Sequence, residues 1–302
     1  MNAHTQLKLD IVMSGAPLGH EIRGVDVANL SDEEFAAVEA AYDAYGVVVL
    51  RNQTLTPAQH VAYSKRFGGL DRYILDKYNM KSQPEIFVVS NIIENGEPIG
   101  LGDAGRYWHS DMWTQEKPPR GSIMYALEVP HDDNGKPLGD TMFGSMQAAY
   151  DGLPDDLRRT IEGKRAVYSG TKLVDFQTKL KGRELTKDEQ DAMEERKKKL
   201  PVISHPMVRV HPRTGRKCIY YSEGAVSHID GMSVEASAPI LQAVRAHVLQ
   251  PRFHYRHVWK VGDVVMWDNC SCIHKASADF EWPQRRRMHR TTLASPFAPI
   301  PA

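Results

Sequence analysis

The sequence predicts a mainly β protein with flanking helices, built on a double-stranded β-helix, the two-sheet jelly roll. Two observations predict it. Short runs rich in β-branched and aromatic residues recur between Gly and Pro punctuation, at Ile86 to Ser90, Ser122 to Val129, Lys217 to Ser222, Arg252 to Trp259, Val261 to Trp267 and Arg287 to Leu293. Helical periodicity, in contrast, is confined to a few segments, and no repeat or domain boundary divides the 302 residues.

The elements follow in order. Ser31-Asp32-Glu33-Glu34 is a capping box, and Phe35, Val38, Tyr42 and Tyr45 recur at helical spacing, so a helix should run to about Tyr45. Gly46 ends it, and Val47 to Leu50 reads as a buried strand. Thr56-Pro57 repeats the start signal and Gly68-Gly69 the stop. Gly96 to Gly105 is a candidate mobile loop, too irregular for a phosphate loop because no Lys-Ser/Thr follows. Lys172 to Leu200 is the main composition shift, and Thr186-x-x-Glu189 caps a charged helix in its second half. That segment is either a solvated surface helix or a lid. A further helix should run from Ser233 to about Leu249, with Ile240, Leu241, Val244 and Val248 as its apolar stripe before Pro251.

Charge is balanced, with 38 Lys plus Arg against 38 Asp plus Glu, so no global field favours nucleic acid or an anionic membrane. The expected partners are small molecules. No apolar run approaches the roughly 20 residues of a membrane span, and the N-terminus lacks a secretory signal, so a cytoplasmic location is expected. Three cysteines do not form a disulfide framework.

Two motifs carry the chemistry. Trp108-His109-Ser110-Asp111 places His109 and Asp111 two residues apart, on one side of an extended chain. Trp267-Asp268-Asn269-Cys270-Ser271-Cys272-Ile273-His274 supplies a distant imidazole. Two His and one carboxylate hold non-haem Fe(II) on one face of an octahedron and leave the opposite face open, so His109, Asp111 and His274 are the candidate metal ligands and catalytic residues. Cys270-x-Cys272-x-His274 is a rival zinc set, but it leaves His109 and Asp111 unexplained. In the run Arg285 to Leu293, period-two geometry puts Arg286, Met288 and Arg290 on one face. Two guanidiniums on one face form a natural carboxylate clamp.

With these motifs the chain resembles the taurine dioxygenase and 2,4-dichlorophenoxyacetate dioxygenase family of Fe(II)/2-oxoglutarate oxygenases. The likeness covers nearly the whole chain and includes Pro17 to Asp26, Gly46 to Arg51, Phe67-Gly68, Gly139-Asp140-Thr141 and the final arginine strand. It implies a single dioxygenase domain over 1–302, a homo-oligomer, and Fe(II), 2-oxoglutarate and molecular oxygen as cofactor and co-substrates. It also implies that Thr141 and Arg286 hold the far carboxylate of 2-oxoglutarate and that Arg290 binds the anionic end of the prime substrate.

Hydroxylation of a small carboxylate, sulfonate or sulfate is the activity implied, with succinate and carbon dioxide as co-products and loss of a heteroatom group from some substrates. A taurine-type or aryloxyalkanoate-type dioxygenase is the alternative within the class, and a metal-binding or sensor protein without turnover the alternative outside it. Tyr73, Met112 and Trp113 are candidates for lining the substrate pocket, whereas Trp108, Trp259 and Trp267 are assigned to packing. Three departures stand out. Cys270 occupies a position where the family commonly has Arg, the interval from His274 to Arg290 is one residue longer than in taurine dioxygenase, and Gly69 to Tyr73 contains no His.

Overall fold

A computed structural model describes residues 9–72, 76–102, 105–180 and 182–302. Valine-rich stretches buried on both sides organise it. In the strand Val47–Leu50, Val47 and Val49 enter one core while Val48 and Leu50 enter another, as the two-residue period of a strand requires. Val264–Asp268 repeats the arrangement, with Val264 and Met266 on one side and Val265 and Trp267 on the other.

These strands lie in a nine-stranded sheet ordered Asp10–Val12, His20–Arg23, Val47–Leu50, Val264–Asp268, Gly121–Glu128, Arg287–Leu293, Gln83–Ser90 and Asn79–Met80, with Leu70–Asp71 added beside Arg287–Leu293. Its pairs are antiparallel except His20–Arg23 with Val47–Leu50, which helix α1 (Asp32–Tyr45) connects. A three-stranded sheet faces it, with Thr141–Ser145 central between His254–His257 and Cys272–Ala276. Side chains from both sheets, including Val49, Phe87, Met124 and Trp267 from one and Phe143 and Cys272 from the other, share a core in the manner of a jelly roll.

Helices cover the outer face of the large sheet. Ser31 and Glu34 form the reciprocal capping box of α1, and Gly46 at φ 70° ends that helix. Helix α2 (Pro57–Lys65) starts on a Thr56–Gln59 capping box and stops before the predicted Gly68-Gly69. Two short helices, α3 (Met146–Asp151) and α4 (Asp155–Ile161), carry no clear periodic signal in the sequence and are new.

The segment 172–200 is helical in both halves. α5 (Gly170–Leu180) and α6 (Lys187–Lys199) form a hairpin pinched at its base, where Gly170 N–H donates to Pro201 O at 3.2 Å. A Cβ on Gly170 would lie 2.0 Å from Leu200 Cβ, so glycine is required there by contact. α7 (Val234–Val248) follows its Ser233 cap as expected. Three predicted strands are shorter than expected. Pro251–Phe253 is a 3-10 turn and leaves His254–His257, Lys217–Ile219 stops early, and the strand predicted from Val261 begins at Val264. Among the described residues no helix is long and apolar enough to cross a membrane.

Candidate active site

His109 and His274 face each other through an isolated antiparallel bridge, His109 N–H to His274 O at 3.0 Å and His274 N–H to His109 O at 2.9 Å. Directly opposed residues present side chains on the same side, and the two imidazole centroids lie 4.2 Å apart. Asp111 is not in a strand as the spacing argument assumed; it sits in a turn after His109. Its side chain still reaches the same point, with Oδ1 3.7 Å from His109 Nε2 and 3.8 Å from His274 Nε2.

Asn269 holds that turn. Its Oδ1 accepts from Asp111 N–H at 2.6 Å and from Ser110 Oγ at 2.9 Å, and its Nδ2 donates to Asp111 O at 3.0 Å and Pro119 O at 3.1 Å. Asp268 beside it accepts from the Cys270 and Ser271 N–H groups and so shapes the bend that leads into the His274 strand. The following residue, Met112, is left-handed at φ 48°, a conformation that costs a non-glycine residue about 1 kcal/mol.

The protons and lone pairs suit a cation. His109 Nδ1–H donates to Tyr107 O at 2.8 Å, because a carbonyl can only accept, which leaves Nε2 as a bare donor atom. Asp111 Oδ2 accepts from Ser122 Oγ and the Trp267 indole, both at 3.2 Å, so Oδ1 is the oxygen turned to the histidines. Burial lowers the pKa of His109 and pushes that of His274 down to about 3, so both rings are neutral at pH 7. Burial alone would raise Asp111, but Arg290, His274, His109 and the Trp267 N–H together hold its carboxyl well below the usual range. The three donor atoms all lie within 4.8 Å of one another, a spread that one ion with bonds of roughly 2.1 Å can span after small side-chain adjustments.

Around the triad opens a cavity of about 650 Å³ whose lining includes Thr141, Arg286, Arg290, Met112 and Trp113. Tyr73 lies outside the described residues. Arg286 is 6% exposed, has no ion-pair partner among the described residues, and leaves Nε without a hydrogen bond. Burial lowers its pKa to about 10 despite the field of Asp279. Thr141 Oγ1 accepts from the Trp259 indole at 3.0 Å, which leaves its own O–H to donate into the cavity. Arg290 lies closer to the triad, with Nη1 3.5 Å from Asp111 Oδ1.

Two of the tryptophans assigned to packing thus also orient site residues: Trp267 through Asp111 and Trp259 through Thr141. Ser122, Asn269 and Tyr107 belong with them and were not singled out, since nothing local marks a residue that supports a distant ligand. Gln177, Arg196, Lys199, Leu200 and Pro201 of the α5–α6 segment also line the cavity. Tyr107 links that segment to the triad, its ring 6.0 Å from Phe176 of α5 and 5.0 Å from His109.

The Cys270-x-Cys272-x-His274 set does not assemble among the described residues. Cys272 Sγ–H is taken by Asp268 O, and Cys270 faces a separate cavity beside Arg209 and His211. Asp43, His211 and Asp268 do converge. There, however, His211 Nδ1 accepts the Arg213 and Thr214 N–H groups, so Nε2 carries the proton it donates to Asp268. Arg120 and Arg213 satisfy Asp43, and the cluster is complete without an ion.

Residues 10–292 match the profile of the taurine catabolism dioxygenase TauD, TfdA family. An alpha-ketoglutarate-dependent 2,4-dichlorophenoxyacetate dioxygenase from Burkholderia sp. (strain RASC) is 32% identical over 274 residues, covering 87% of this chain and 86% of that protein. Among solved structures, a taurine dioxygenase from Burkholderia xenovorans superposes with a TM-score of 0.75 at 28% identity, covering 95% of this chain and 89% of that one. AAD-2 in complex with Mn(II) and N-oxalylglycine also gives 0.75, at 27% identity over 97% of this chain and all of that chain.

Proposed function

Because this chain belongs to the TauD/TfdA family of 2-oxoglutarate-dependent dioxygenases, we propose that it hydroxylates a small organic anion whose body is apolar. The enzyme uses Fe(II), 2-oxoglutarate and molecular oxygen. In this reading His109, Asp111 and His274 hold the iron. The neutral rings and the Asp111 carboxylate supply three donors on one side and leave the cavity side open.

A metal held there would supply chelation of the keto acid and the oxidative chemistry that links decarboxylation of 2-oxoglutarate to hydroxylation of the prime substrate, giving succinate and carbon dioxide. The protein positions the reactants. Arg286 and the Thr141 hydroxyl take the far carboxylate of 2-oxoglutarate, and Arg290 takes an anionic group of the prime substrate beside the triad. Phe87, Val89, Leu101, Met112, Trp113 and Met124 exclude water from the apolar body. If the hydroxylated carbon carries an ether oxygen or a sulfonate, the product collapses and that bond breaks. Aryloxyalkanoates and alkylsulfonates are therefore the first substrates to try.

The observation that carries this reading is Arg286, a buried guanidinium without an ion-pair partner among the described residues, opening on the same cavity as the triad. A buried charge of that kind calls for an anionic ligand. Anaerobic titration of the Fe(II)-loaded protein with 2-oxoglutarate tests it. A weak visible charge-transfer band should appear in the wild type and be absent in His109→Ala; protein that binds iron but gives no band refutes the assignment.

A further inference from the structure

The charged hairpin α5–α6 treats its basic residues in two ways. On the exposed face of α6, Lys187 pairs with Asp191 at 2.8 Å and Lys198 with Glu195 at 2.7 Å, while Lys197, the least exposed of the basic run, pairs with Asp175 of α5 at 2.7 Å and with Glu194 at 2.8 Å. Arg196 and Lys199, which share a helix face at i, i+3, instead line the cavity, and neither has a carboxylate partner among the described residues. Arg196 donates to the neutral Gln177 at 2.7 Å, and the Lys199 side chain makes no hydrogen bond or ion pair among the described residues. Asp111 is the one acidic residue in the described lining. The hairpin contains acids enough to neutralise both cations, yet places them elsewhere.

Charge balance then limits what the cavity accepts. With the co-substrate bound as proposed above, on which this inference rests, Fe(II), Asp111 and Arg286 sum to about +2, and 2-oxoglutarate cancels that. Among the described lining residues, Arg196 and Lys199 are then the cations without a carboxylate, beyond Arg290, which is proposed above to meet an anionic group of the prime substrate. We propose that Arg196 and Lys199 form an outer anion subsite, and that the prime substrate is a dianion. One anionic group lies beside Arg290, and a second, across the apolar body, is held by the two cations of α6. The hairpin is thereby a specificity element. Its seat is firm enough for this, because Phe176 packs where a Cβ on Gly224 would come within 2.2 Å, and the base is closed at Gly170 and Leu200.

The test uses Fe(II)- and 2-oxoglutarate-loaded protein without oxygen, and two matched probe pairs: phenoxyacetate with 4-sulfophenoxyacetate, and phenoxybutyrate with 4-sulfophenoxybutyrate. Shifts of the keto acid band give each Kd. At least one dianion should bind the wild type about fivefold or more tightly than its monoanion, as expected for two cations at the exposed rim of the cavity. In Arg196→Gln/Lys199→Gln that preference should fall to within about twofold, and Arg196→Lys should recover part of it. Dianions that bind no better than monoanions, or a preference that survives in the double variant, overturn the proposal. Loss of the keto acid band itself would instead overturn the co-substrate reading, so the two failures are distinguishable.

Discussion

Replacing Arg286 by Met should weaken 2-oxoglutarate binding and at the same time stabilise the ligand-free protein. The guanidinium is 6% exposed and has no ion-pair partner among the described residues, and burial brings its pKa from 12.5 to about 10. A cation whose folded pKa is lowered destabilises the fold at every pH below that value, so the full penalty is present at pH 7. It amounts to about 3 kcal/mol. Met fills much of the same volume without charge, and part of the penalty should be recovered as a rise of a few degrees in melting temperature. If Arg286 holds the far carboxylate as proposed, the same change removes two charge-assisted hydrogen bonds to the co-substrate, about 3 to 4 kcal/mol, or on the order of several hundred-fold in Kd. Thermal melts with and without 2-oxoglutarate, on metal-loaded protein held anaerobically, read both effects. The wild type should gain stability from 2-oxoglutarate and the variant almost none. A variant that melts lower than wild type when ligand-free and still binds 2-oxoglutarate within threefold would refute the idea of a buried, ligand-awaiting arginine.

The remaining expectations concern support of the triad and pH. Asn269→Ala removes three hydrogen bonds to Ser110 and Asp111 and one to Pro119 O, and should cost about 3 to 4 kcal/mol in urea unfolding and 10- to 100-fold in metal affinity. Trp267→Phe keeps the ring but deletes the N–H donated to Asp111 Oδ2; metal affinity should fall about tenfold with little loss of stability, measured by competition with a chelator. Burial holds His60 and His274 at about 3 and His205 and His289 at about 4, against 6.5 for an ordinary histidine. These rings stay neutral in the folded chain while the unfolded chain takes up protons. The contribution of these four rings to metal-free stability should therefore be flat above pH 7 and fall as pH drops from 6.5 towards 4, by about 1.4 kcal/mol per pH unit for each ring. Urea unfolding at pH 7.5 and 5.5 measures this, and equal stability at the two values would contradict it.

Local signals in the chain mark many elements correctly. The Ser31 and Ser233 starts, the Gly46 stop and the continuous apolar run Val47 to Leu50 are short-range effects of capping, left-handed backbone and strand propensity, and the structure follows each of them. The α6 helix was likewise legible from Thr186 and Glu189. α3 and α4 were not, because they are short and their burial is decided by what packs on them. Predicted strands were too long where Pro251 or a turn after Ile219 ended the pairing, since partners and not propensity set where a ladder stops.

The sequence by itself named His109, Asp111 and His274 as a ligand set and put Arg286 and Arg290 on one side of a strand, because residue type, spacing and two-residue parity belong to the chain alone. It also marked 172–200 as different. Only the tertiary structure decided that His109 would pair backbone to backbone with a residue 165 positions later, that Asp111 would reach the same point from a turn, and that Asn269 and Trp267 would hold it there. It also decided that Arg196 and Lys199 line the rim of the cavity while Lys197 and Lys198 of the same basic run are paired with carboxylates. The physical reason is the same in each case. Which hydrogen-bonding group meets which carboxylate depends on the packing of segments far apart in sequence, and a run of charges reads alike whichever side of the helix faces the site.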